Sequence, residues 1–508
     1  MFVNLIITLS ISSRILEVYN YIIEFLNNFS TLSIFYAINT LIVLTIIFLE
    51  SQKASSSWAW ILVLLLIPYL GLILYLILGR PIYREKIFPY SKQEKIEFQK
   101  SLLETSTPYN ISKEEDVKYR NRNLIALNYH SDQSFLSENN KISIITSGDE
   151  KFKLLFEDIR NAKEYIHIQY YILKKDNIGK ELFDLLIQKL NENVKVYILY
   201  DDIGSRTLNK YTLKKLIDAG AKVKSFFKSS LPLINLRMNY RNHRKIVVID
   251  GKIGYTGGFN VGDEYLGKDR KLGYWRDTHI RIVGDAVATL NFRFIDDWNS
   301  QVLRKKQNEL IDLNEKHLYN YEKNTGNIPI QVVTSGPDDK LEQIKYGYLH
   351  MINRARQYIY IQTPYFIPDE SVIDALKMAI LSGIDVRIMI PSIPDHILVR
   401  WGNYSYVGEL ANVGAKIYEY KKGFLHAKTI IIDDEVTSVG SANFDNRSFK
   451  LNFEINTFIY DKETTQKFRN IFNNDIRNSK LLTKEKYNNR KLTIKFKEAL
   501  ARLISPIL

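Results

Sequence analysis

Two short stretches of the chain carry the same polar residues at the same spacing. The first is His243, Lys245 and Asp250; the second is His426, Lys428 and Asp433. Both read H-x-K-x-x-x-x-D, they are offset by 183 residues, and seventeen residues after each histidine stands an asparagine, Asn260 and Asn443. One such pattern is a weak signal. Its recurrence points to a duplicated site. The flanking runs Lys245–Ile249 and Lys428–Ile432 are rich in β-branched residues, and in a strand residues i and i+2 share a face, so His and Lys of each motif enter the same space. The aspartate, an odd seven residues on, turns to the other face and lies about 23 Å from the histidine along an extended strand. That geometry gives Asp250 and Asp433 a structural role at the strand end.

Asp250 to Ile253 offers a two-residue hairpin turn with Gly251 first. Folding about it predicts Asn260 beside His243; folding about Asp434 and Glu435 predicts Asn443 beside His426, unless a bulge shifts the register. Each imidazole also needs a carboxylate to fix its tautomer. The candidates are Asp277, in the Trp275–His279 stretch, and Glu454, alternating with Phe453 and Ile455. Two lysines and two amides suit a phosphoryl group whose charge grows in the transition state. One neutral imidazole attacks phosphorus while the other, protonated, supplies the leaving oxygen, by way of a covalent phospho-histidine. The two imidazoles titrate as a coupled pair. The chemistry requires no metal or cofactor. There is no H-E-x-x-H, EF-hand or P-loop pattern, and His130, His167, His279, His317, His350 and His396 have no ligand-like spacing.

The elements around the motifs repeat as well. Ile144–Gly148 answers Val332–Gly336, Tyr165–Gln169 answers Tyr358–Gln362, and Gly220–Lys222 answers Gly414–Lys416, at offsets of 188, 193 and 194. Each copy interleaves β-rich runs (Val194–Tyr200, Asp385–Ile390) with helical patterns (Gly179–Leu190, Glu370–Leu381). This is an α/β unit with a mostly buried sheet, present twice and packed around a pseudo-two-fold axis. The 508 residues contain no cysteine, which excludes disulfide scaffolds, thiolate metal sites and cysteine nucleophiles.

Charge is unevenly placed. The first 79 residues hold only Arg14, Glu17, Glu24, Glu50 and Lys53, net −1, so the remainder carries +15. Phe25–Leu49 and Ala54–Gly79 have no charge at all, and each exceeds the roughly 20 helical residues that cross a bilayer. They form a hairpin about a polar turn at Gln52–Ser57. Arg80, Arg84 and Lys86 follow it directly, which by the positive-inside rule places the remainder in the cytoplasm. The missing A-x-A site and the immediate second run argue against a cleaved leader. At the other end Leu492, Phe496, Leu500, Leu503 and Ile507 make one helical stripe with Lys491, Lys495, Lys497 and Arg502 elsewhere around it. Such a helix suits an anionic bilayer or docking on the protein's own core. The expected divisions are 1–29 (interfacial segment), 30–80 (transmembrane hairpin), 81–140 (linker), 141–305 (first α/β domain), 306–327 (linker), 328–480 (second α/β domain) and 481–508 (C-terminal helix).

Together these features resemble the phospholipase D superfamily, defined by the duplicated H-x-K-x-x-x-x-D element, and within it the bacterial cardiolipin synthases. The resemblance covers nearly the whole chain: the hairpin at Trp58–Gly71, Trp275–His279, Thr363–Glu370 (TPYFIPDE), Gly440–Ser448 (GSANFDNRS), Asn452–Asn456 and Ala501–Leu508. It implies two tandem phospholipase D-like α/β sandwich domains behind a two-helix membrane hairpin. The implied activity moves a phosphatidyl group from one phosphatidylglycerol to another, giving cardiolipin and glycerol. The motif residues His243, Lys245, Asp250, His426, Lys428 and Asp433 become the candidate catalytic set, with Lys245, Asn260, Lys428 and Asn443 on the phosphate oxygens. In the family the first histidine is taken as nucleophile and the second as acid and base, although the motif itself is symmetric. The implied partners are phosphatidylglycerol, other anionic phospholipids and the membrane, with an oligomer compatible; the implied location is the cell membrane, multi-pass. The interval from Gly-Ala-Lys to His is 23 residues in the first copy and 12 in the second. The extra segment, Ser229–Tyr240, is either a lipid-facing loop or a plain surface insertion.

Three rivals remain. A phospholipase D-type hydrolase would use the same motifs with water as acceptor. The basic charge suggests nucleic acid, but no aromatic-interleaved strand or groove-reading helix accompanies it, so no nucleic-acid partner is expected. An inert membrane scaffold is the third, opposed by two intact motifs.

Overall fold

The computed structural model describes residues 17, 18, 20–24, 27, 33, 34, 36–45, 54–67, 70, 71, 74, 75, 87–103, 117–208, 210–228, 237, 239–302, 309–319 and 325–504. The chain divides into two compact units, one of residues 1–81 with 230–239 and the other of 82–229 with 240–508.

In the smaller unit, residues 36–45 are helical and a 13-residue helix spans Ala54–Leu66. Asn39, 3% exposed, donates from Nδ2 to the Leu64 carbonyl at 2.7 Å and so ties the two. Among the described residues no helix is long and apolar enough to cross a membrane. The rest of the expected hairpin, most of 1–29 and most of Ser229–Tyr240 lie outside the described residues.

The larger unit is built on two sheets of matching topology. The first runs, edge to edge, Asn140–Ile145, His279–Gly284, Ile253–Gly257, Ile246–Ile249, Tyr165–Tyr170, Lys195–Asp201, Lys222–Phe226. The second repeats that order with Ile330–Ser335, Glu454–Ile459, Val436–Gly440, Thr429–Ile432, Tyr358–Gln362, Asp385–Pro391 and Lys416–Tyr420. It adds an edge strand on either side, Leu136–Ser137 and Ser479–Leu482. Central strands such as Tyr165–Tyr170 and Glu454–Ile459 are buried along their whole length, as expected of strands covered on both faces. The helices over them begin at polar caps: Ser147 accepts the Glu150 N–H and Asp461 the Thr464 N–H. One apolar cluster joins the halves, with Val248 and Ile280 of the first packed among Ile431, Val439 and Ile455 of the second.

Part of the stretch expected as a linker belongs to the second half. Helix Arg122–Asp132 buries Leu124 and Ile125 in that half's core, and Leu136–Ser137 pairs with Ile330–Gln331.

The hairpin after each motif differs from the expected one. Ile249 pairs with Ile253 and Ile432 with Val436, which leaves three residues in each turn. The cause is the motif aspartate. Asp250 accepts the N–H groups of Lys163, Glu164 and Tyr165 at 2.7, 2.8 and 2.9 Å, and Asp433 those of Arg356, Gln357 and Tyr358 at 2.6, 2.9 and 2.9 Å. Both aspartates sit at φ 53°, the left-handed region that short polar side chains tolerate. The added turn residue moves the register by one. Carried three residues past the last paired positions, Ile246 with Thr256 and Thr429 with Val439, that register points Phe259 and Ala442, not Asn260 and Asn443, at the two histidines.

Candidate active site

Two short cross-links between the halves build the site. Gly423–Leu425 runs parallel to Tyr274–Arg276, with Leu425 opposite Arg276, so the next residue on each side is His426 and Asp277. A bridge pairs Asn242 with Phe453, and the next residues are His243 and Glu454. The backbone confirms both registers: the His426 N–H donates to the Arg276 carbonyl at 2.7 Å, the His243 N–H to that of Phe453 at 2.9 Å.

Each histidine is therefore oriented by a carboxylate from the other half. His243 Nδ1 lies 2.9 and 3.0 Å from the two oxygens of Glu454, and His426 Nδ1 lies 2.5 Å from Asp277 Oδ2. A carboxylate accepts, so Nδ1 carries the hydrogen and Nε2 keeps its lone pair for chemistry. Both histidine side chains are 10% exposed, whereas Glu454 and Asp277 are fully buried. Lys245 Nζ donates to the His243 carbonyl at 2.5 Å; Lys428 Nζ donates to the His426 carbonyl and lies 2.9 Å from His426 Nδ1.

Burial dominates the electrostatics. It pulls both imidazoles down to about 4, against the opposing pull of Glu454 on His243 and of Asp277 on His426. It lowers Lys245 to about 7 and Lys428 to about 8. Burial alone would raise Glu454 and Asp277, but their basic neighbours, His243 and Lys245 for the first, Lys428 and His426 for the second, hold both below the usual carboxylate range through charge and hydrogen bonds. The motifs also feel each other: Lys428 depresses His243, and Lys245 depresses His426. Two buried imidazoles and two buried lysines thus lie within electrostatic reach of one another.

The remaining expected residues are placed differently. Asn260 donates to the Tyr265 hydroxyl at 2.7 Å and accepts the Ile172 N–H at 3.1 Å. Asn443 donates to Asp445 at 3.3 Å, and its buried Oδ1 has no partner among the described residues. Asp250 and Asp433, named with the catalytic set, bind backbone at the far end of the motif strand.

Several participants were not anticipated. Tyr171 packs edge-on to His243, ring centroids 5.0 Å apart, and Trp275 lies 5.2 Å from His426. The Ser441 hydroxyl donates to Glu454. Behind each histidine stands a buried Gln–Asp–Arg cluster. Gln169 and Arg244 donate to Asp297; Gln362 and Arg276 donate to Asp475. Arg244 belongs to the first motif, where the second has Ala427, so the second cluster takes its guanidinium from the opposite half. The aligned glutamines of the repeat, polar residues ending buried strands, were the available signal.

The chain matches the family described as "Cardiolipin synthase, PLD-like domain" over residues 155–298 and 348–476, and "Phospholipase_D-nuclease N-terminal" over 37–80. It is 48% identical over 483 residues to the cardiolipin synthase of Oceanobacillus iheyensis, covering 94% of this chain and 98% of that one. It is 50% identical over 476 residues to cardiolipin synthase 2 of Staphylococcus epidermidis, covering 93% and 96%. Among solved structures, the phosphatidylserine synthase of Haemophilus influenzae superposes with a TM-score of 0.58 at 18% identity, over 77% of this chain and all of that one; it speaks for the fold alone. Matched over more than half its length, and nearly half identical to relatives that it covers almost end to end, the chain belongs to the cardiolipin synthase family of proteins with duplicated PLD-like domains.

Proposed function

We propose that this phosphatidyltransferase makes cardiolipin and glycerol from two phosphatidylglycerol molecules through a phosphatidyl-histidine intermediate, with His243 as nucleophile and His426 as acid and base. The observation that carries the reading is the exchange of carboxylates between halves. It frees an Nε2 lone pair on each of two buried imidazoles, with Lys245 and Lys428 close enough to act on the charge of both.

The charge of the anionic diester beside the imidazoles opposes the burial that keeps them neutral, so binding recruits a proton to one of them. His243 Nε2 then bonds to phosphorus as the phosphorus–oxygen bond to the head-group glycerol breaks, and that oxygen takes the proton of His426. In the second step the hydroxyl of another phosphatidylglycerol gives its proton to His426 and attacks phosphorus, and the phosphorus–nitrogen bond breaks. Lys245 and Lys428 balance the charge gathering on the non-bridging oxygens. Asn260 and Asn443 complete that grip on this reading, once substrate draws their amides from Tyr265 and Asp445.

Membrane residence follows the same reading. The charge-free runs within 25–79 and the basic residues after them support a hairpin that anchors the catalytic halves, 141–305 and 328–480, on the cytoplasmic side.

The test is product analysis of purified protein with phosphatidylglycerol. Equal amounts of cardiolipin and glycerol are expected; phosphatidic acid would mean that water is the acceptor. In His426→Ala a lipid adduct should accumulate on His243, and an adduct found instead in His243→Ala would reverse the two roles.

A further inference from the structure

The helix Leu492–Ile504 docks on the second half by the side opposite its apolar stripe. At about 100° per residue, Leu492, Phe496, Ala499, Leu500 and Leu503 fall on one arc. The leucines and Phe496 there are 50 to 81% exposed. Glu498 and Ala501, across the helix, are 3% and 1% exposed. Polar tethers hold this docked side. Arg490 binds Glu498 at 2.7 Å, the Lys497 ammonium lies 5.1 Å from the Trp401 ring, and Arg502 binds Glu409 at 2.6 Å. The two destinations open to this helix in the sequence are thereby separated: its own core takes the polar and small side, and the stripe is turned outward.

We propose that this outward stripe lies in the surface of an anionic bilayer and seats the catalytic halves against it. Two observations choose that occupant. Lys491 and Lys495 flank the stripe, the arrangement that pairs apolar insertion with attraction to anionic head groups. Apolar side chains are also exposed on the helices to which it is tied. Glu409 binds both Arg502 and Lys377, each at 2.6 Å, and so ties this helix to Ile397–Val413 and to Glu370–Leu381. Those two helices leave Ile397, Met378 and Leu381 53, 58 and 76% exposed. The inference rests on the lipid substrate proposed above.

The chain has no cysteine, so a single Phe496→Cys can carry a polarity-sensitive fluorophore in the full-length protein, with Lys153→Cys on a surface helix of the first half as reference. In phosphatidylglycerol-containing vesicles the label at 496 should shift to the blue. It should be quenched at least twofold by nitroxides on the acyl chains and protected from aqueous iodide, unlike the reference. Equal iodide access at the two positions overturns the proposal. So does protection from iodide without nitroxide quenching, which would mean that a second protein surface covers the stripe. A Leu492→Glu, Phe496→Glu, Leu503→Glu variant should lose at least tenfold in rate on vesicles and stay within twofold on detergent-dispersed substrate; equal rates on vesicles overturn it as well. The quenching needs no turnover, so it stands or falls apart from the catalytic reading.

Discussion

His243 and Glu454 are 211 residues apart in the chain and 2.9 Å apart in the site. The carboxylate that sets the tautomer of the first imidazole belongs to the second half, and Asp277 repays the arrangement at His426. Neither half holds a complete histidine–carboxylate pair, so the site forms only when both are folded and docked. Glu454→Gln keeps the shape but can hold the wrong tautomer, and kcat should fall about 10² to 10⁴-fold. Because Glu454 acts through His243, the double variant His243→Ala, Glu454→Gln should be no slower than His243→Ala alone. Multiplying losses in that double-mutant cycle would mean that Glu454 acts on something else.

The pH dependence follows from the same burial. In the free enzyme Lys245 sits at about 7 and Lys428 at about 8. Raising the pH through that window removes the cations that receive the diester, so the alkaline fall of kcat/KM, already begun by loss of the His426 proton, should steepen between 7 and 8. Both imidazoles sit at about 4. Lowering the pH through 4 protonates the nucleophile, and the acid limb belongs there. Lys245→Arg stays charged across the range, so the steepening should move up while the acid limb stays. A steepening unmoved by both Lys245→Arg and Lys428→Arg would detach it from the lysines.

Much of this site could be read from residue order. Periodicity and the repeat located His243, Lys245, His426 and Lys428 at equivalent places, which the structure sets just ahead of the strands Ile246–Ile249 and Thr429–Ile432 rather than within them, and the polar positions that follow singled out Asp277 and Glu454. What could not be read was the exchange between halves, because it depends on two short ladders, Leu425 with Arg276 and Asn242 with Phe453, that join segments far apart in sequence. The turn was missed for a different reason. A hairpin inferred from Gly251 alone ignores that Asp250 has three backbone donors waiting for it, and tertiary hydrogen bonds outweighed the local preference for a two-residue turn. Arg276 was invisible as a partner of Asp475 because its counterpart Arg244 works within its own half.

The Arg276–Asp475 pair should therefore be the more revealing of the two clusters. Both side chains are buried, at 3.0 to 3.2 Å from Arg276 Nε to the two Asp475 oxygens, and the pair joins the halves directly. Asp475→Asn leaves a buried guanidinium without its counter-charge, which costs about 3–5 kcal/mol. Urea unfolding should show a loss of that order. If the halves are coupled through this pair, His426 loses its seat on the Arg276 carbonyl too, and kcat should fall in native conditions where the variant is still folded. A variant as stable and as fast as the parent would relegate the pair to packing.

Gly258 offers a sharper test of how closely the carboxylate at His426 is held. Asp277 and Glu454 occupy equivalent places, as do Gly258 and Ser441. Where the longer glutamate takes a hydroxyl from Ser441, a Cβ built on Gly258 would stand 1.9 Å from Asp277 Oδ1. Asp277 is fully enclosed, so Gly258→Ser must push it off the His426 Nδ1. A displacement near 1 Å at such a contact is enough for a loss of about 10²-fold, read in kcat with little change in KM. Adding Asp277→Glu copies the second half's pair into the first, and the double variant should recover about tenfold of that loss by the same reasoning. Full activity in Gly258→Ser would show that Asp277 can move without consequence, and that the short bond to His426 does not set the rate.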